Sequence, residues 1–198
     1  MQSILLASSS TYRRELLTRL GLAFEWASPD IEEDSILDES ADALVARLSL
    51  AKAKALAAGY TNHLIIGSDQ VAILGGQIVG KPHTYEQAFT QLRNASGKQV
   101  IFKTGLCLLN ARTGESQVKV EEFTVEFREL SDDQIHHYLT YEQPYDCAGS
   151  FKCEGLGIAL FSKLSGDDPN SLIGLPLIRL VDMLKAEGVD PLLLAKRS

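Results

Sequence analysis

The 198-residue sequence has only three cysteines, Cys107, Cys147 and Cys153, and no C-x-x-C spacing among them. An odd number leaves one thiol unpaired, which fits a reducing cytosol better than a secreted disulfide scaffold. No apolar run approaches the ~20 residues of a membrane span. The opening Met1-Gln2-Ser3-Ile4-Leu5-Leu6-Ala7 is short for a signal peptide and has no basic start, since Arg13 and Arg14 follow it. A soluble, cytoplasmic protein with no membrane partner is expected. Basic excess is missing too. The formal net charge of -7 argues against a nucleic-acid partner, because non-specific binding needs a broad basic surface. An anionic ligand then requires a local basic pocket or a bridging metal. Also absent are G-x-x-x-x-G-K-[ST], G-x-G-x-x-G and any His/Cys zinc spacing, which disfavours P-loop, kinase and Rossmann chemistry.

What is present is an ordinary globular composition, 45% hydrophobic and 23% charged, long enough to bury a real core. Residues 1–198 are expected to form a single domain, or two closely packed lobes. Ile4 to Ala7 predicts a buried strand, followed by a serine-rich turn, a helix from Thr11 to Leu20 and a cap at Gly21. A helix from Ala41 to Ala58 precedes a strand beginning at Leu64, which turns at Gly75-Gly76 and returns to Val79. Thr84-x-x-Gln87 and Ser131-x-x-Gln134 each open a helix. Val100 to Leu109 reads as a strand, and Val118 to Phe127 as another whose phase slips at Glu121-Glu122, suggesting a bulge. Phe151 to Phe161 reads as a Gly-rich strand, and Pro176 as the first position of the last helix. Hairpins and strand–helix units both occur, so the class is α/β around a mixed central sheet flanked by helices.

Three places break their local pattern, as functional sites do. In Ser8-Ser9-Ser10-Thr11-Tyr12-Arg13-Arg14, two arginines occupy a first helical turn, where the helix dipole is already positive. Free N–H groups, hydroxyls and guanidiniums there suit a phosphate chain; a serine cap with solvated arginines is the plainer alternative. Lys52 falls inside the apolar stripe Leu44, Val45, Leu48, Ala51, Ala55, Leu56, whereas Arg47 and Lys54 lie outside it as surface charges. Its amine either snorkels to water or serves a buried anion. Asp69, between Leu64-Ile65-Ile66-Gly67-Ser68 and Val71-Ala72-Ile73-Leu74, must be paired, hydrogen-bonded or metal-bound if buried. Gly67 and Ser68 would let a ligand approach the backbone; a capped turn or a structural ion pair is the alternative. Gly80-Lys81-Pro82 and Glu32-Glu33-Asp34 alone mean a turn and a solvated loop. Together, two arginines and two lysines match a triphosphate, and two carboxylates match a divalent metal such as Mg²⁺ or Mn²⁺.

These segments, in this order, resemble the Maf-like nucleotide pyrophosphatase family. So do Arg47-Leu48-x-x-x-Lys52-Ala53, Ala148-Gly149-Ser150, Gly155-x-Gly157 and Gly174-Leu175-Pro176-Leu177, so that the resemblance covers nearly the whole chain. It implies a mixed α/β fold with a substrate cleft, distantly similar to the house-cleaning inosine-triphosphate pyrophosphatases. It further implies that Ser8, Arg13, Arg14, Lys52 and Lys81 hold phosphates, that Asp69 is catalytic, and that Glu33 and Asp69 bind the metal. Water would attack the α-phosphorus, with Asp69 as base or as metal ligand.

Gln70 after Asp69, an aromatic at Tyr12, and Ser150-Phe151-Lys152-Cys153-Glu154-Gly155 are similar to the 7-methyl-GTP branch, in which position 12 is often tryptophan. A cationic 7-methylguanine would be drawn to the face of Tyr12, and Glu154 would accept from guanine's N1–H and amino group. Tyr12, Gln70 and Glu154 are thus the expected base-specificity residues. A dTTP/UTP pyrophosphatase is the alternative within the family. A non-catalytic nucleotide-binding or cell-division interaction protein is the alternative outside enzymes, and a homodimer is left open.

Overall fold

The computed structural model describes residues 2–195. The elements run β1 (Ser3–Ala7), α1 (Thr11–Thr18), β2 (Glu25–Ala27), α2 (Ala41–Ala57), β3 (His63–Leu74), β4 (Gln77–Val79), α3 (Tyr85–Ala95), β5 (Gln99–Asn110), β6 (Ser116–Phe127), α4 (Asp132–Glu142), β7 (Phe161–Gly166), α5 (Pro169–Ile173), α6 (Leu177–Ala186) and α7 (Pro191–Leu194). Four helices start at hydroxyl caps. Ser10, Ser40, Thr84 and Ser131 each accept from the backbone N–H three residues on, and Ser131 with Gln134 completes a capping box.

One sheet is ordered β2-β1-β3-β5-β6-β7, with β4 beside β3. β1 is parallel to β2 and β3, whereas β3–β4 and β6–β7 are antiparallel. The mixed sheet with helices is therefore the class read from the sequence. The chain forms two compact units, one within Met1–Asp69, Thr104–Glu121 and Gly174–Ser198, the other within Gln70–Lys103 and Glu122–Ile173. β3, β5 and β6 each contribute residues to both.

In the first unit, Leu5, Ala7, Ala53, Ile65, Cys107 and Leu109 pack between strands and α2. The contact is close at Gly67, where a Cβ would lie 2.0 Å from the Ser49 carbonyl oxygen of α2. The space at Gly67 is thus filled by a helix backbone and not by an approaching ligand, which corrects the sequence expectation. Gly67→Ala is expected to cost at least ~2 kcal/mol through overpacking, read as a lower urea midpoint. A loss under about 0.5 kcal/mol would mean that α2 shifts freely.

Burial pushes the Cys107 thiol from 9.0 up to about 12, with Lys54 opposing weakly. The folded state therefore holds this proton more tightly than the unfolded chain. Its contribution is intact below about pH 9 and is lost as pH rises toward about 12. Cys107→Ala should flatten the alkaline fall of stability over that window, measured by denaturant titrations at stepped pH. An unchanged slope would contradict it.

The second unit has an aromatic core. Phe151 meets Phe102, Phe127 and Phe161 edge-on at 5.3, 5.9 and 4.7 Å between centroids. Phe151 to Phe161 is not the strand its sequence suggests. Residues 152–155 turn, Leu156–Leu160 is a 3-10 helix, and only Phe161 starts β7. The end of α4 holds this segment. Tyr138 Oη accepts from the Lys152 N–H at 3.0 Å, Lys152 Nζ donates to the Glu142 carbonyl at 2.9 Å, and Glu142 Oε1 accepts from the Leu156 N–H at 2.5 Å. A Cβ at Gly157 would stand 2.3 Å from the Lys152 carbonyl oxygen, so the glycines serve a tight fold-back. Other boundaries shift slightly: α1 ends at Thr18, and Pro176, with extended ψ, is the N-cap of α6 and not its first helical residue. The pairing of β6 with β7 has its irregularity at Glu126/Phe127.

Candidate active site

β1 ends at Ala7 and delivers Ser8, buried, to the turn before α1. Ser8 Oγ accepts from the Ser10 N–H at 3.1 Å, and Ser10 Oγ caps the helix on the Arg13 N–H at 3.4 Å. No acidic residue lies in the first turn of α1 to balance Arg13 and Arg14, so the two cations stand at a positive helix end. Arg13 Nε donates to the Gly174 carbonyl at 2.8 Å. That same oxygen is 2.9 Å from Ser68 Oγ, which is also 2.8 Å from the Gly105 carbonyl. Ser68 therefore ties three chain segments together and offers no open approach to a ligand. Gly174 has φ +112, a conformation that favours glycine, and this turns its carbonyl onto Arg13. Arg13's terminal nitrogens make no hydrogen bond among the described residues. Burial lowers the Arg13 pKa, while Asp69 and Glu33 raise it; a guanidinium so placed remains charged. Arg14 Cζ lies over the Trp26 ring, 4.0 Å from its centroid. Tyr12 is half-buried at the second position of α1.

Lys52 does not snorkel. It is 6% exposed, and its Nζ donates to Asp69 Oδ1 at 2.6 Å and contacts Glu33 Oε1 at 2.9 Å. Asp69 is 7% exposed and lies mid-strand in β3, not in a capped turn. Its Oδ2 accepts from no protein donor among the described residues. A buried carboxylate needs a partner, and Lys52 is that partner. The charge that broke the apolar stripe of α2 answers the charge that broke the apolar run of β3. Glu33 is the exposed member, with 57% of its side chain accessible.

The loop carrying Glu33 is held by Arg47, expected to be a plain surface charge. Arg47 makes a two-point pair with Glu39 at 2.7 Å for each bond and donates to the Asp34 carbonyl at 3.0 Å. The Glu39 hydrogen bond raises the Arg47 pKa and lowers that of Glu39. The sequence signal was available, because Arg47 directly precedes Leu48 of the apolar stripe and so borders the buried face of α2. Gly174 and Trp26 also escaped notice as site residues. Gly174 acts through its carbonyl, which no side-chain pattern reveals, and Trp26 lies in a strand of only three residues.

Among the described residues, no group of three or more His, Cys, Asp or Glu side chains could hold a metal ion by itself. Glu33 and Asp69 nevertheless converge on one ammonium group. Two carboxylates beside unengaged guanidinium nitrogens suit a hard divalent ion that shares its coordination with substrate phosphates and water.

Gln70, Lys81 and Glu154 belong to the second unit. Gln70 Nε2 donates to the Ser171 and Leu172 carbonyls at 2.7 and 3.2 Å, so its amide group holds α5. Lys81 is exposed and has no hydrogen bond or ion pair among the described residues. It precedes buried Pro82, and the adjacent His83 N–H donates to the Tyr145 carbonyl at 2.9 Å, which pins the loop under it. Glu154 is exposed on the turn before Leu156–Leu160, not on a strand, with Oε2 3.5 Å from Cys153 Sγ. Burial, with Glu154 second, pushes the Cys153 thiol from 9.0 up to about 12.

A family model described as "Maf-like protein" matches residues 3–187. A protein of Pseudomonas savastanoi named "7-methyl-GTP pyrophosphatase" is 65% identical over 190 residues, covering 96% of this chain and 99% of that protein. Proteins of the same name in Pseudomonas aeruginosa and Nitrosococcus oceani are 60% and 58% identical, covering 96% and 94% of this chain and 99% and 94% of their own lengths. Among solved structures, the Staphylococcus aureus Ham1 protein matches with TM-score 0.52 at 14% identity, covering 94% of this chain and all of that one. At that identity the likeness concerns the fold alone.

Proposed function

Because the chain belongs to the Maf-like protein family, we propose that it hydrolyses a nucleoside triphosphate to its monophosphate and pyrophosphate, with 7-methyl-GTP as the substrate. The observation that carries this reading is the buried Asp69–Lys52 pair, flanked by Glu33 and Arg13. Arg13 and Arg14, at the start of α1, bind phosphate oxygens through guanidinium N–H groups, and Lys52 adds a point charge. Ser8 and Lys81 are proposed to contact the phosphates as well, in keeping with the family resemblance. Glu33 and Asp69 would hold a divalent ion, Mg²⁺ or Mn²⁺, which would lower the pKa of water and neutralise phosphate charge. Asp69 Oδ2 orients the attacking water or takes its proton, and Lys52, 2.6 Å from Oδ1, holds that carboxylate in place. Arg13 and Arg14 stabilise the charge that develops on departing pyrophosphate.

No helix among the described residues is long and apolar enough to cross a membrane, and we assign the reaction to the cytoplasm. The test is product analysis with Mg²⁺ or Mn²⁺ on 7-methyl-GTP, GTP, UTP and dTTP. Monophosphate plus pyrophosphate is expected, fastest with 7-methyl-GTP. Diphosphate plus orthophosphate would overturn attack at the α-phosphorus, and preference for UTP or dTTP would move the chain to the pyrimidine alternative.

Tyr12 and Glu154 are proposed to select the base, Tyr12 by its ring face and Glu154 by accepting from guanine's two donors. Gln70 contributes by holding α5. Glu154→Gln is expected to lower kcat/KM for 7-methyl-GTP by roughly one to two powers of ten and to leave UTP and dTTP equal or better. A parallel fall on all three nucleotides would instead give Glu154 a role in the fold.

A further inference from the structure

We propose that Trp26 is the positioning residue for Arg14, holding its guanidinium flat so that the N–H edge is presented to the substrate's phosphates. This rests on the phosphate-binding role given to Arg14 above. Trp26 is the only tryptophan in the chain and is 53% exposed, so its ring is not consumed by core packing and has a face to offer a neighbour. Its backbone is fixed by the parallel pairing of β2 with β1, in register with Leu6, two residues before the turn into α1. The Arg14 guanidinium lies 4.0 Å from its ring centroid. Among the described residues, Arg14 makes no side-chain hydrogen bond or ion pair.

The ring therefore replaces the carboxylate that would ordinarily hold an arginine. A carboxylate partner would occupy the N–H donors and cancel the charge. An aromatic face does neither, because the cation is attracted through its flat side while all donors remain on the edge. Stacking also removes rotamer freedom from a long side chain before substrate arrives, so less is lost on binding. The device suits a cation placed, against the helix dipole, in the first turn of α1.

The test is steady-state kinetics with Mg²⁺ and 7-methyl-GTP on the full chain, with Trp26→Ala, Trp26→Phe and Arg14→Met. Trp26→Ala should raise KM by about three- to tenfold with little change in kcat, and Trp26→Phe should restore KM to within about twofold. The lone indole supplies a second readout in the unmodified protein. Inorganic tripolyphosphate with Mg²⁺ should change its fluorescence, and Arg14→Met should abolish that response. If Arg14→Met raises KM while Trp26→Ala does not, the positioning role is wrong and the phosphate role of Arg14 stands. If Arg14→Met leaves KM unchanged, the phosphate role itself fails and takes the proposal with it. Equal KM for the Phe and Ala variants, or an indole signal indifferent to tripolyphosphate, would also overturn it.

Discussion

Asp69→Asn is expected to reduce turnover at least ~10²-fold in a chain that still folds but is less stable, because the buried Lys52 ammonium loses its main counter-charge. The amide keeps the volume, and its oxygen still accepts from Lys52 Nζ, which stands 2.6 Å from Oδ1. The change removes the negative charge and the basicity of Oδ2, the oxygen assigned to the attacking water or to the metal. A loss confined to the transition state appears in kcat with KM nearly constant. Metal titration divides the two roles. If Asp69 acts mainly as a ligand, raising Mg²⁺ should recover part of the rate; if it takes the proton, saturating metal recovers none. Near-normal turnover in Asp69→Asn would remove it from the chemistry altogether.

Lys52→Met should cost both stability and affinity. Methionine preserves the aliphatic stem within the stripe of α2 but leaves Asp69, 7% exposed, without its counter-charge. Removing one member of a buried ion pair typically costs about 3–5 kcal/mol, which urea denaturation would report. Only the Asp69 side of the contact sets this cost, since Glu33 is largely solvated and its share is screened. Loss of the charged contact to phosphate should weaken triphosphate binding by a further ~1.5–3 kcal/mol. Lys52→Met combined with Asp69→Leu should regain much of the stability and none of the activity, because an apolar pair needs no compensation. A Lys52→Met protein as stable as the parent would mean that the ammonium does not neutralise Asp69. Unchanged substrate affinity would remove Lys52 from the phosphate site.

The sequence by itself determined the class of fold and most of its punctuation. Serine and threonine caps at Ser10, Ser40, Thr84 and Ser131 act within three residues of themselves, so local chemistry suffices to place them. The apolar run around Asp69 and the apolar stripe around Lys52 each declared a misplaced charge, because burial of an isolated ion is costly wherever it falls.

Tertiary structure alone decided that these two charges answer each other. They are 17 positions apart on a helix and a strand, and no local rule links them. It also decided that Gly67 admits a helix backbone, that Arg47 grips the loop bearing Glu33, and that Trp26 faces Arg14. Residues 151–161 show the same limit from the other side. Their Gly-rich apolar run reads as a strand, yet Tyr138 and Glu142 accept hydrogen bonds from it and fold the segment onto the end of α4. Apolar composition marks a segment as available for packing, but Ile158 stays 54% exposed, and what the segment packs against is set by chain segments distant in sequence.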